Sequence, residues 1–141
     1  LGAFFQKPHH GRSLTRLDWN RDGLEDVCIS HNNQPAALLT NRTERPGHWI
    51  GFRLIAIQSA RDAIGTTLHL QAGEQRSTMQ LTAGDGFQAS NERRIVFGLG
   101  TSDQVHSLEV IWPSGNRQKV EGVSIDREWI LVEQREPLAV P

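Results

Sequence analysis

The chain has 141 residues, enough for one domain or one domain with a short attached piece, and enough to bury a real core without disulfides. Its formal net charge is -1, so it offers no basic field to a phosphate backbone and nucleic acid is a poor partner. One cysteine rules out an internal disulfide framework or a cysteine-rich zinc site, and no stretch approaches the roughly 20 apolar residues of a membrane span.

The chain opens at Leu1 without an initiator Met or a signal-type apolar segment, which reads as a fragment or a processed product. His9 and His10 lie in a Pro-flanked leader expected to be mobile. Ser13-Leu14-Thr15-Arg16-Leu17 and Val27-Cys28-Ile29-Ser30 both read as strands, with Cys28 as a small buried hydrophobe in the second. Between them, Asp18 to Asp26 spell D-x-N-x-D-G-x-x-D. Oxygen-bearing side chains recur at every second position, Gly23 stands where the chain must turn sharply, and a carboxylate closes the loop. Calcium is a hard cation that takes about six to eight oxygens, and a tight loop turns alternate residues onto one centre. The spacing therefore assigns Ca2+ to the side chains of Asp18, Asn20, Asp22 and Asp26 and the backbone carbonyl of Leu24. An EF-hand would need a Glu at the twelfth loop position and flanking helices; Ile29 stands there, inside a strand. The plainer alternative is an Asx-rich turn that binds nothing, since Asp, Asn and Gly are the ordinary turn residues.

A polar seam with Pro and Gly follows at 40–48, and Asn41-Arg42-Thr43 within it is a glycosylation acceptor pattern. Beyond it the chain reads as short strands. Ile50, Phe52 and Leu54 form one inward set; Thr66, Leu68 and Leu70 a second; Ser77, Met79 and Leu81 a third. Ile95, Phe97 and Leu99, then Leu108, Val110 and Trp112, then Ile130 with Val132 continue the series. Period-two alternation marks half-buried strands of an antiparallel sheet. Turns are expected at 72–74, 83–86, 98–100 and 112–116, a single helical turn at 59–64, an Arg61–Asp62 salt bridge, and a frayed tail at 136–141. The fold class is all-β: an antiparallel β-sandwich or partly open barrel with an N-terminal hairpin. The domain reading is 1–45 for the hairpin with its calcium loop, 46–135 for the main β domain, and 136–141 for the tail.

Four tryptophans divide by position. Trp112 belongs to the core, while Trp49 and Trp129 sit at strand starts, half exposed, where a carbohydrate-binding module would use them. Trp19, at a non-ligand position of the loop, is expected to pack against an adjacent blade or the sandwich, the alternative being a contact for a sugar or protein ligand. No nucleophile elbow, phosphate loop, zinc-protease or dinucleotide motif occurs, and the six histidines are scattered. Carboxylates outside the loop, such as Glu109 and Glu133, fall at turns or solvent-facing positions, so no catalytic residue is assigned.

Residues 11–41 resemble a single FG-GAP (VCBS-type) repeat, in which strand, D-x-[DN]-x-D-G-x-x-D loop and strand form part of a propeller blade. The remainder resembles an ASPIC/UnbV domain, as in cartilage acidic protein and many bacterial secreted proteins. The words carrying it are HWIGFRLI, ARDAIGTTLHL, AGDGF, RRIVFGLG and LEVIWPSGNRQ; where relatives tend to carry aromatic-x-Ser-Gln, this chain has Phe87-Gln88-Ala89-Ser90. The resemblance implies a propeller-blade-like hairpin on an extracellular, cell-surface or periplasmic protein. The function expected is a non-catalytic calcium-binding β module for adhesion or for binding a protein or glycan ligand outside the cell. The alternative is an accessory or catalytic domain in bacterial secondary metabolism or carbohydrate processing. A lone repeat also leaves an edge strand unpaired, through which a homodimer could form.

Overall fold

The computed structural model describes residues 2–44 and 47–141, so Arg45 and Pro46 of the polar seam, and the domain boundary placed between them, lie outside the described residues. The chain divides into two compact units: residues 1–42 with 84–92, and residues 43–83 with 93–141. The segment 84–92, expected within the main β domain, thus belongs with the N-terminal sheet.

In the first unit a short 3-10 helix, Ala3–Gln6, precedes β1 (Gly11–Leu17), β2 (Asp26–His31) and β3 (Ala37–Leu39), an antiparallel meander in the order β1-β2-β3. The leader is held rather than loose: the His9 ring stacks on Phe4 with centroids 4.0 Å apart, and its Nε2 lies 2.8 Å from the Phe4 carbonyl oxygen. Residues 84–92 run along the outer edge of β1. Glu92 N–H donates to the Arg16 carbonyl at 3.0 Å, and Arg16 N–H donates to Asn91 Oδ1 at 2.8 Å. These bonds place residues 84–92 against the edge of β1 that faces away from β2.

The second unit is a β-sandwich. One sheet has the order β11-β10-β4-β7, from β4 (His48–Ile55), β7 (Ile95–Gly100), β10 (Arg127–Val132) and β11 (Leu138–Ala139). The other has the order β6-β5-β8-β9, from β5 (Thr67–Ala72), β6 (Gln75–Gln80), β8 (Ser107–Ile111) and β9 (Arg117–Val120). Neither sheet closes into a barrel. All pairings are antiparallel except β10 with β4, which run parallel. The inward sets at 50–54, 66–70, 95–99 and 108–112 are buried as their alternation dictates, and together they form the core. At the join of β4 and β7, a Cβ on Gly47 would lie 2.5 Å from the Gly100 carbonyl oxygen, so only glycine lets the strands meet there.

Four expectations are corrected. In β10 the buried set is Trp129, Leu131 and the adjoining Glu133, with Ile130 and Val132 on the other face. Register explains it: Trp129 and Leu131 lie beside the inward Phe52 and Leu54 of β4, so the phase is set by the partner strand. The tail is not frayed, since Leu138–Ala139 pairs with β10 as β11. Residues 59–64 form bends and turns, with Ala63 at φ 55, rather than a helical turn. Asp62 pairs with Arg93 at 2.8 Å, not with Arg61, because its loop faces that strand entry.

Candidate functional site

The 18–26 loop joins β1 to β2 as the spacing requires, and its two ends carry buried carboxylates. Asp18 is 2% exposed; its Oδ1 accepts the Asp22 N–H at 3.1 Å and its Oδ2 the Gly23 N–H at 3.0 Å. Gly23 sits at φ 87, a left-handed conformation that explains glycine there. Asp26 is fully buried, accepting from Trp19 N–H at 3.2 Å and Asn41 N–H at 2.6 Å. Asn20 and Asp22 stand at the exposed rim. Asp22 accepts the Asn20 side-chain amide at 2.7 Å and the Leu24 N–H at 2.9 Å, which leaves Leu24 half-buried with its nitrogen committed.

The donor set is all oxygen, as a hard cation requires. Convergence is less complete than the spacing implies. Among the described residues no three His, Cys, Asp or Glu side chains are gathered into a metal-holding group. The carboxylates of Asp18 and Asp26 grip backbone N–H groups, and the rim pair Asn20–Asp22 grips itself.

One contributor had no signal in the sequence. Glu92, 74 positions from Asp18, accepts the Asp18 N–H on Oε2 at 3.1 Å, while its Oε1 pairs with Arg21, itself at φ 61. No local pattern ties a residue beyond the sixth strand to a loop before the second. Trp19 is 52% exposed, and its Nε1–H donates to Thr40 Oγ1 at 3.0 Å. Asn41 turns its side-chain nitrogen toward the Glu25 carbonyl at 3.3 Å and its N–H toward Asp26, so the acceptor asparagine works as a loop anchor.

In the second unit the outstanding polar group is Glu133, expected at the surface but fully buried. Its Oε2 accepts from Ile57 N–H at 2.7 Å and Gln58 N–H at 2.8 Å; its Oε1 accepts from Ser114 Oγ and from Asn116 Nδ2 at 2.9 Å. Burial pushes this carboxyl up, but the four donors outweigh it and hold it well below the usual range, at about 2. The Trp112-Pro113-Ser114-Gly115-Asn116 turn is thereby explained. Gly115 closes the turn at φ 89, Trp112 Nε1–H donates to Gln118 Oε1 at 2.9 Å, and Ser114 with Asn116 reach back to Glu133. Four donors leave this carboxylate no proton to move and no open face, so the hub is a clamp rather than a catalytic base.

The two tryptophans considered for sugar stacking are also spoken for. Trp129 is 8% exposed and donates from Nε1 to the Ser124 carbonyl at 3.0 Å. Trp49 is half-buried, with the Arg94 guanidinium 5.4 Å from its ring centroid, and Arg94 in turn lies 3.4 Å from Glu128. On the outer face of the β6-β5-β8-β9 sheet, an open groove of about 400 Å³ is lined among others by His69, Arg76, Thr78 and Glu109.

No helix among the described residues is long and apolar enough to cross a membrane. No curated protein matches the chain. The family model described as "ASPIC and UnbV" matches residues 56–138, more than half of the chain. That span takes in the RDAIG, FGLG and WPSG words and the Glu133 clamp, and leaves the 11–41 segment and HWIGFRLI outside. The chain belongs to the ASPIC/UnbV family.

Proposed function

We propose that this chain is a non-catalytic β module that takes Ca2+ in the 18–26 loop and works outside the cell in adhesion or ligand binding. The observation that carries the reading is the pair of buried carboxylates, Asp18 and Asp26, at the two ends of one loop. Their oxygens accept backbone N–H groups of Asp22, Gly23, Trp19 and Asn41, so both carboxylates already face inward on this loop as oxygen donors. Asn20 and Asp22 are exposed, so turning them inward costs their mutual hydrogen bond and the bond from Leu24 N–H to Asp22 but no buried packing. A bound cation would offset the repulsion among the three carboxylates and fix the connection between β1 and β2. The N-terminal sheet gains most from such a fastening, because none of its hydrophobic side chains among the described residues is fully buried. We also read this sheet as one blade-type repeat of the FG-GAP kind, whose half-exposed apolar side chains would pack on a neighbouring repeat.

Calorimetry and thermal melting in Ca2+ test the proposal. Extracellular modules bind calcium at roughly 10⁻⁴–10⁻³ M, so millimolar Ca2+ at the tight end of that range adds about 1.4 kcal/mol of stability. Asp22→Ala should abolish that gain. No heat and no change in Tm at 10⁻² M Ca2+, on the order of ten times the weakest such affinity, would overturn the reading.

A further inference from the structure

We infer that the outer face of the β6-β5-β8-β9 sheet binds an acidic oligosaccharide. The groove of about 400 Å³ falls in the size range of small-ligand sites, and its walls mix apolar surface with the polar side chains of His69, Arg76, Thr78 and Glu109. On these four strands the outward charges are Arg76, Arg117 and Lys119 against Glu109 alone, in a chain whose net charge is -1. Glu109 is already neutralised: Arg117 grips it with Nε at 3.0 Å and Nη2 at 2.9 Å. That grip, more than the neighbouring His69 and Lys119, holds its carboxyl below the ordinary range. Arg76 makes no ion pair among the described residues, so the face keeps a positive surplus.

Register places these groups across the face. His69 lies between Thr78 on β6 and Glu109 on β8, and Glu109 lies beside Lys119 on β9. Arg76, two residues along β6 from Thr78, and Lys119 lie on strands three spacings apart, so at ~4.8 Å per strand they are separated by more than about 14 Å, which a single small anion cannot bridge. Between them stand hydrogen-bonding side chains, including Thr78, whose hydroxyl meets His69 Nδ1 at 2.7 Å. The central strands β5 and β8 are paired on both sides, so a peptide cannot add to them as a further strand. A ligand that brings polar groups along its length together with negative charge complements this face, which is the chemistry of a uronic-acid chain.

The inference stands apart from the calcium loop, and the test is run with EDTA so that the two can fail separately. A trimer of galacturonic acid is titrated into the full chain at low salt, with the neutral glucose trimer and triglutamate as comparisons. The expected result is saturable heat with the galacturonate trimer alone, weakened about threefold to tenfold by Arg76→Gln or Lys119→Gln and reduced by added salt. Both side chains are exposed, so an unchanged Tm for each variant shows that the fold is intact. Absence of binding at millimolar trimer overturns the inference. Equal binding of the glucose trimer overturns the acidic requirement, equal binding of triglutamate overturns the saccharide, and full affinity in both variants overturns the assigned face.

Discussion

The two units are built of the same element and held by different physics. In the second, buried apolar side chains from two sheets meet in one cluster, with Ile50, Phe52, Leu68, Val110 and Leu131 at or near zero exposure. In the first, no hydrophobic side chain among the described residues is fully buried, while Phe5, Leu14, Trp19, Leu38 and Phe87 stand about half exposed. Its buried side chains are instead Asp18 and Asp26, fastened to backbone N–H groups. A sheet with a partner sheet spends its apolar face on a core; a sheet without one closes its loops with carboxylates. Stability should therefore answer to apolar truncation in one unit and to loss of hydrogen-bond acceptors in the other.

The sharpest way to break this contrast is to truncate the sandwich core. Phe52→Ala should cost about 3–5 kcal/mol, measured by urea unfolding. A loss under 1 kcal/mol would mean that the two sheets are not the seat of stability.

Next in size is Glu133→Gln, at about 2–4 kcal/mol, because two donors on one oxygen would then face an amide NH2. This variant also has a pH signature. The Glu133 carboxyl is held at about 2 against an ordinary 4.5, so its contribution is fully present above pH 4.5 and is lost as pH falls through 2. The difference between wild type and Glu133→Gln should accordingly shrink across that window. A gap that stays constant down to pH 2 would contradict the clamp.

In the first unit, Asp26→Ala should cost about 1–3 kcal/mol by leaving the N–H groups of Trp19 and Asn41 without their acceptor. Amide exchange should register it as faster opening of β1 and β2, with the sandwich amides unchanged. Smallest is Leu14→Ser, at the half-exposed centre of β1, expected within about 0.5 kcal/mol by the same urea titration. A loss comparable with that of Phe52→Ala would show that the first unit has a core after all.

Alternation located the strands well where one face is buried and the other wet, as at Leu68-His69-Leu70 or Leu108-Glu109-Val110. It misplaced β10 because Trp129, Ile130, Leu131 and Val132 are apolar on both faces, and such a run carries no phase of its own. Glu133 escaped notice for a related reason. A glutamate after an apolar strand reads as a surface residue, and two of its four donors, the N–H groups of Ile57 and Gln58, come from more than seventy positions earlier. The residues of the 18–26 loop were legible as a spaced set, since they lie within nine consecutive positions. Their orientation was not legible, because the N–H donor on Asn41 and the carboxylate acceptor on Glu92 are distant in the chain and set by the fold.

The excursion of residues 84–92 to the edge of β1 also has a consequence in time. Arg16 gains its bonds to Asn91 and Glu92 only after the ribosome has added some seventy-five residues beyond it. At ~5–20 residues per second, the nascent sheet must wait roughly 4–15 s for the piece that seals its rim. During that interval β1 is an open template for other chains emerging nearby, and cutting the gene at the interdomain seam would make the exposure permanent.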